Sequence, residues 1–198
     1  MNFDSPPKQP VASAQAWFDE AVLEKATPNP LAAAFTTVDR EQRPSSRMVL
    51  LKGFDAQGAV LYTNYESDKA KDVEQNQNVS LLFHWDYKQR QLRIQGKAER
   101  VDEEESDVYF ATREKLSQVG AWASDQSRPL KSRAVLMAKV AALMAKWVGR
   151  KVPRPEHWGG YRVSLDVIEF WQGHDGRLHD RIRYTRDQNA WHWVRLQP

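Results

Sequence analysis

The sequence predicts an α+β protein: a mainly antiparallel, Greek-key-like β-barrel with peripheral helices. Two observations lead there. Short segments rich in Val, Leu, Phe, Tyr and Thr recur at regular spacing with turn residues between them. The helical patterns between them do not alternate one for one with the strands, as parallel α/β units would require. Residues 1–10, with three prolines, read as a flexible arm, and 11–198 as a single domain. Residues 11–26 place apolar side chains at helical spacing, and Pro28 and Pro30 stop that helix. The period then changes, and strands are expected at 32–38, 47–52, 59–64, 78–85 and 90–101, with Asp55-Ala56-Gln57-Gly58 as a turn. Residues 67–77 read as a short helix with Ser67 as its N-cap. Further helices are expected at 103–113 and at 129–148, the latter opening at Pro129. Strands resume at 160–172, 181–186 and 190–196, and no internal repeat interrupts the pattern.

Composition narrows the function. Hydrophobic residues at 41%, with eight tryptophans in 198 residues, are enough for a sizeable core. A net charge of +3 is small for this length, so the basic balance suits a small anionic ligand, and nothing beyond the pI of about 9.1 speaks for nucleic acid. The absence of cysteine excludes disulfides, thiolate catalysis and cysteine metal sites. His84, His157, His174 and His192 show no paired ligand spacing, so no metal site is expected. The first residues lack the basic and apolar blocks of a signal peptide, and no run approaches the ~18 apolar residues of a membrane span. A cytoplasmic protein is the simplest reading.

Five segments carry polar groups that invite chemistry. Arg47 and Lys52 bracket an apolar strand and face opposite sides of it; they serve two anionic groups or are simply its polar ends. Residues 62–69 (YTNYESDK) run from a strand into a helix N-terminus, where amide N–H groups, hydroxyls and Lys69 make either a phosphate cradle or an ordinary capped helix. Asp68 suits the first turn of a helix but opposes a phosphate. Residues 90–98 alternate polar and apolar, so one face lines a polar cavity or is merely exposed. Tyr109, Arg113 and Ser117 recur every four residues and share one helix face, a set that suits a second phosphate. Arg177, His179 and Arg181 share a face if their segment is extended; they form a solvated hairpin edge, or they lie opposite something anionic. No Ser-His-Asp set or paired carboxylates can be assigned from spacing.

Taken together, these segments resemble the pyridoxamine 5'-phosphate oxidase family, over roughly residues 30–198. The resemblance is carried, in order, by RMVLLK (47–52), LYTN and SDKA (61–64 and 67–70), VSLLFHW (79–85), RQLRIQGKAERV (90–101) and YFATR (109–113). It continues through SQVGAWASDQS (117–127), WGGYRVS (158–164), IEFWQG (168–173) and RLHDR (177–181). It implies an FMN-binding split β-barrel, a homodimer with two active sites at the subunit interface. The implied reaction oxidises pyridoxamine 5'-phosphate and pyridoxine 5'-phosphate with O2 to pyridoxal 5'-phosphate, releasing H2O2.

By the same resemblance, Arg47, Ser67 and Lys69 hold the FMN phosphate, assisted by Gln126 and Ser127 of the other subunit. The backbone of Arg47, Met48, Val49, Leu50, Leu51 and Lys52, with Tyr62, Thr63 and Gln91, lines the flavin, and Trp171 and Arg181 come from the partner. Lys52, Tyr109, Arg113 and Ser117 bind the substrate phosphate, while Arg177 and His179 close over the pyridine ring as the candidate catalytic pair. Other readings are a related flavin oxidase of another aromatic substrate, such as a phenazine precursor, or a carrier without turnover. Two departures stand out. Asp68 occupies a position where the family commonly has a basic residue, which predicts weaker FMN binding. The family's basic, tyrosine-containing N-terminal segment is not recognisable in residues 1–15.

Overall fold

The computed structural model describes residues 1–188 and 190–198. Helix α1 (Val11–Glu24) precedes β1 (Ala32–Val38), β2 (Pro44–Leu50), β3 (Gly53–Phe54), β4 (Ala59–Asn64), α2 (Asp68–Gln75), β5 (Asn78–Trp85) and β6 (Arg90–Arg100). Then follow α3 (Glu103–Thr112), α4 (Lys115–Ala123), α5 (Arg133–Lys146), β7 (Trp158–Val163), β8 (Val167–Gln172), β9 (Asp180–Asp187) and β10 (Ala190–Arg195). The strands pair antiparallel in the order β10-β9-β8-β6-β5-β1-β2, and a second branch runs from β6 through β7 and β4 to β3. The α+β split-barrel expectation is met. Among the described residues, no helix is long and apolar enough to cross a membrane.

Strand β6 makes the branching possible. Its 11 residues pair twice along one side, Arg90–Gln95 with β8 and Ala98–Arg100 with β7. The changeover falls at Gly96, where a Cβ would lie 2.0 Å from the carbonyl oxygen of Ser164. Ser164 locks the crossing: its Oγ accepts from the Lys97 N–H at 2.8 Å, and its own N–H donates to the Lys97 carbonyl at 2.9 Å. The single strand expected over 160–172 is therefore two. Its first half must pair with β4 and the end of β6, its second with the start of β6 and with β9.

The core forms where α1 lies on the sheet. Ala14, Trp17, Phe18 and Ala21 of α1 are buried, with Phe18 edge-on to Phe83 at 4.8 Å and Trp17 edge-on to Phe170 at 5.0 Å. Each such aromatic removes enough apolar area from water to contribute on the order of 2–3 kcal/mol. A second cluster joins Phe110, Val119 and Trp147 of the helical segments to Trp158 on β7. Residues 1–10 carry no helix or strand, yet Phe3 packs on the main core and the Tyr184 hydroxyl donates to the Pro7 carbonyl at 2.9 Å.

Other boundaries shift for local reasons. Strand β2 ends at Leu50 because the Leu51 N–H donates to the Leu31 carbonyl while the Lys52 N–H turns to the Val60 carbonyl, carrying the chain from β1 to β4. Helix α5 opens at Arg133 instead of Pro129, since Ser132 is the cap whose Oγ accepts from the Val135 N–H. Helix α4 was not foreseen. Gly96→Ala should destabilise the protein by roughly 2–4 kcal/mol, because Ser164 main chain must move. A thermal scan should show Tm falling by about 5–10 °C; an unchanged Tm would contradict the crossing described.

Candidate active site

A cavity of about 800 Å³ opens beside β2 and β4, roofed by α3 and α4. It gathers Met48, Val49, Leu50, Lys52, Tyr62, Thr63, Lys69, Tyr109, Arg113, Ser117 and Gln126 from segments far apart in sequence. Asn64 of the 62–69 segment also lines it, as do Trp158, Asn29, Ala32 and Glu114, to which the sequence assigned no role. For Trp158 a signal was present, since it opens the WGGYRVS block.

One part of the wall is built around Lys69. Its ammonium donates to Thr63 Oγ1 at 3.2 Å, Ser67 Oγ at 3.1 Å and Gln126 Oε1 at 2.5 Å, so three neutral oxygens take its protons. Burial, then the nearby Arg47 charge, pull its pKa down to about 8, with Asp68 opposing. Arg47 lies behind, donating to Thr37 Oγ1 at 2.7 Å and to the Phe35 carbonyl at 3.2 Å, with Asp72 3.8 Å away. Ser67 occupies the N-cap position of α2, but its hydroxyl donates to the Asn64 carbonyl at 2.7 Å and does not cap the helix. Two cations beside a helix N-terminus, with no carboxylate bonded to Lys69 among the described residues, have the chemistry to attract an anion.

Gln126 and Ser127 belong to this same site in the same chain. Gln126 bonds Lys69 and Thr63, and Ser127 Oγ accepts from the Asp68 N–H at 3.3 Å. The expectation that they reach in from another subunit is thus corrected: the loop after α4 folds back onto the start of α2.

A second part of the wall is aromatic and cationic. Tyr62 and Tyr109 stack at 3.9 Å, and Tyr62 stacks on Trp158 at 5.5 Å. Burial, then Glu105, push the Tyr62 phenol up to about 12, so it stays neutral. The Arg113 guanidinium lies over the Trp158 ring at 4.5 Å, and its Nη1 is buried with no hydrogen-bond partner among the described residues. Burial lowers the Arg113 pKa, with Tyr109 opposing. Tyr109, Arg113 and Ser117 do not share one helix, since α3 ends at Thr112 and α4 begins at Lys115. The break at Arg113 nevertheless leaves all three on the cavity wall.

The remaining predicted residues lie elsewhere on the chain. Gln91 stands with Trp171, and Trp171 with Arg181, as lateral partners across β6, β8 and β9. Gln91 thus groups with the residues expected from a partner, not with the lining of its own chain's cavity. Arg177, His179 and Arg181 do not form one extended face. Residues 175–177 make a single tight turn with Arg177 at φ +62°, and β9 starts only at Asp180. His179 packs against Trp171 at 4.6 Å, while the Arg181 side chain is turned to Glu169 at 2.7 Å.

An antiparallel split barrel with a cation-walled cavity beside β2 and β4 is the architecture of the flavin-binding split barrels. Residues 19–146 match the family model described as pyridoxamine 5'-phosphate oxidase, and residues 158–198 match the pyridoxine 5'-phosphate oxidase C-terminal dimerisation region. The chain belongs to the pyridoxamine 5'-phosphate oxidase family. It is 50% identical over 195 residues to a pyridoxine/pyridoxamine 5'-phosphate oxidase of Rubrobacter xylanophilus, covering 98% of this chain and 89% of that one. A Burkholderia thailandensis protein of the same name is 48% identical over 192 residues, covering 96% and 89%. Among solved structures, PhzG from Burkholderia lata 383, in complex with tetrahydrophenazine-1-carboxylic acid, superimposes with a TM-score of 0.93 at 33% identity, covering 99% and 96%. A Nostoc punctiforme protein related to pyridoxamine 5'-phosphate oxidase shares the fold, with a TM-score of 0.76 at 14% identity, covering 98% and 100%.

The Lys69 environment sets a pH dependence. An anion bound there favours the charged ammonium, so affinity is full below a pKa of about 8 and falls as pH rises through it. Titration with inorganic phosphate should therefore show weakening from about pH 8 upward, approaching tenfold per unit. Lys69→Arg should remove the dependence, because a guanidinium keeps its charge.

Proposed function

We propose that this protein is an FMN-dependent oxidase of pyridoxamine 5'-phosphate and pyridoxine 5'-phosphate. It yields pyridoxal 5'-phosphate with O2 as electron acceptor, releases H2O2 and, from the amine, ammonia, and works as a homodimer. The observation that carries the reading is the pair of separate half-buried cations in one cavity. Lys69, backed by Arg47, and Arg113, with Lys52, provide for two anionic groups, as a phosphorylated cofactor and a phosphorylated substrate require.

The residues fit FMN. Thr63, Ser67, Lys69, Gln126 and Ser127 supply hydroxyl, amide and ammonium groups at one point, suited to a phosphate. The β2 segment from Met48 to Leu50 offers a flat apolar edge on the same cavity. Held by Thr63, Ser67, Lys69, Gln126 and Ser127, FMN would supply the two-electron redox chemistry that couples oxidation of the substrate to O2.

The chain's own residues bind and orient. Arg113 presents an unpaired Nη1, and Tyr109 and Ser117 add hydroxyls, for the substrate phosphate. The Tyr62–Tyr109–Trp158 stack keeps water from that side and holds the Arg113 plane. Arg177 and His179, with Trp171 and Arg181, come from the partner subunit to cover the substrate ring and the flavin. Their task is orientation and charge stabilisation.

A second reading, an oxidase of a reduced phenazine carboxylic acid, is favoured by the likeness to PhzG, with a carboxylate in place of the substrate phosphate. Anaerobic addition of each compound separates the two, since the true substrate bleaches the flavin spectrum. Pyridoxamine 5'-phosphate should bleach it and, in air, give pyridoxal 5'-phosphate; failure of both would overturn the proposal. Arg113→Ala should raise KM for the phosphorylated substrate roughly 10–100-fold with flavin retained. Arg47→Ala should instead lose flavin. Identical behaviour of the two variants would refute the division into two anion sites.

A further inference from the structure

The first turn of α2 carries Asp68, an anion beside the place proposed for a phosphate dianion. Its carboxylate is not free. Arg128 Nη2 donates to Asp68 Oδ1 at 3.1 Å and also to the Glu66 carbonyl at 3.0 Å. The loop bearing Arg128 is fastened to the same turn by other contacts. Asn64 Nδ2 donates to the Ser124 carbonyl, Lys69 to Gln126, and the Asp68 N–H to Ser127 Oγ. The Arg128 N–H donates to the Asp125 carbonyl at 3.1 Å, closing a tight turn in which Ser127 holds φ +68°. Asp68 also reaches the anion site electrically, since its charge acts on both Lys69 and Arg47.

We propose that Arg128 is a positioning residue for the flavin phosphate: it neutralises Asp68 and fixes the 124–128 loop, so that the α2 turn accepts a phosphate despite its acidic residue. The inference rests on the proposed FMN site and goes beyond it. Both side chains are largely exposed, so as a bare surface ion pair the contact contributes little to folding. Its consequence is for the ligand. Without Arg128, the dianion would meet an uncompensated carboxylate in the first turn of α2. The expectation of weak FMN binding from Asp68 considers one half of a pair whose other half lies 60 residues away in sequence.

The test compares FMN with riboflavin, which lacks the phosphate, by fluorescence quenching on the flavin-stripped full-length protein. Arg128→Ala should weaken FMN binding about 5–10-fold while riboflavin changes less than about twofold. Asp68→Asn combined with Arg128→Ala should restore FMN to within about twofold of the wild type, and Arg128→Lys should retain most of the affinity. A role of Arg128 in loop structure alone would not be rescued by Asp68→Asn. That result, or an Arg128→Ala with unchanged FMN affinity, would overturn the proposal while leaving the phosphate site standing. Equal binding of FMN and riboflavin by the wild type would overturn the phosphate site itself.

Discussion

Thr63 at the end of β4, Ser67 before α2 and Gln126 in the loop after α4 converge on the Lys69 ammonium, and the cavity depends on that convergence. The three groups come from separate parts of the fold, so placing them within hydrogen-bond reach of one nitrogen fixes barrel, helix and loop relative to one another. They are neutral, which leaves a cation partly desolvated and without a bonded carboxylate. Burying charge in this way costs the ligand-free protein stability, and the depressed pKa of Lys69 records that cost. Such an arrangement is uneconomic as a fold-stabilising device and makes sense as a site completed by an anion.

Arg113 follows the same logic by different means. Its guanidinium lies over the Trp158 ring at 4.5 Å, a contact that supplies no counter-charge, and its Nη1 has no hydrogen-bond partner among the described residues. A surface arginine would satisfy that nitrogen with water. Here the rings of Trp158 and Phe110 lie against the guanidinium. The two cations are prepared in parallel, the pKa of each lowered first by burial.

Much of this was legible in the sequence, and the exceptions have physical reasons. Strands β1, β4 and β5 fall where their composition puts them, because period two and turn residues are local signals. The split of 160–172 into β7 and β8 was not legible, since it is imposed by the crossing at Gly96, a residue some 65 positions earlier. Eleven of the site residues that the family resemblance implied line one cavity. The placement of Gln126 and Ser127 beside Lys69 of the same chain, and the Asp68–Arg128 pair, depend on how the loop after α4 folds back. No spacing rule carries that information. Arg177, His179 and Arg181 would share a face only in an extended segment, and the glycine-containing turn at 175–177 removes that condition.

The residues absent from the cavity wall are not scattered. Gln91, Trp171 and Arg181 stand side by side on one face of three adjacent strands, and Glu169 lies one pleat along with Arg93 and Arg183 as its lateral partners. Glu169 is buried, which by itself would raise its pKa. Hydrogen bonds from Arg181 and Arg183, with the fields of Arg181 and Arg93, bring it below the usual carboxylate range. One buried carboxylate thus holds the Arg181 guanidinium in a fixed direction beside the Trp171 indole. These groups line no part of their own chain's cavity, yet β8 and β9 lie inside the segment that matches the family's dimerisation region. In the proposed homodimer, this face would complete the neighbour's cavity. The division of labour would then be energetic as well as geometric: the α1-covered core folds each barrel, while the finished site would require two chains.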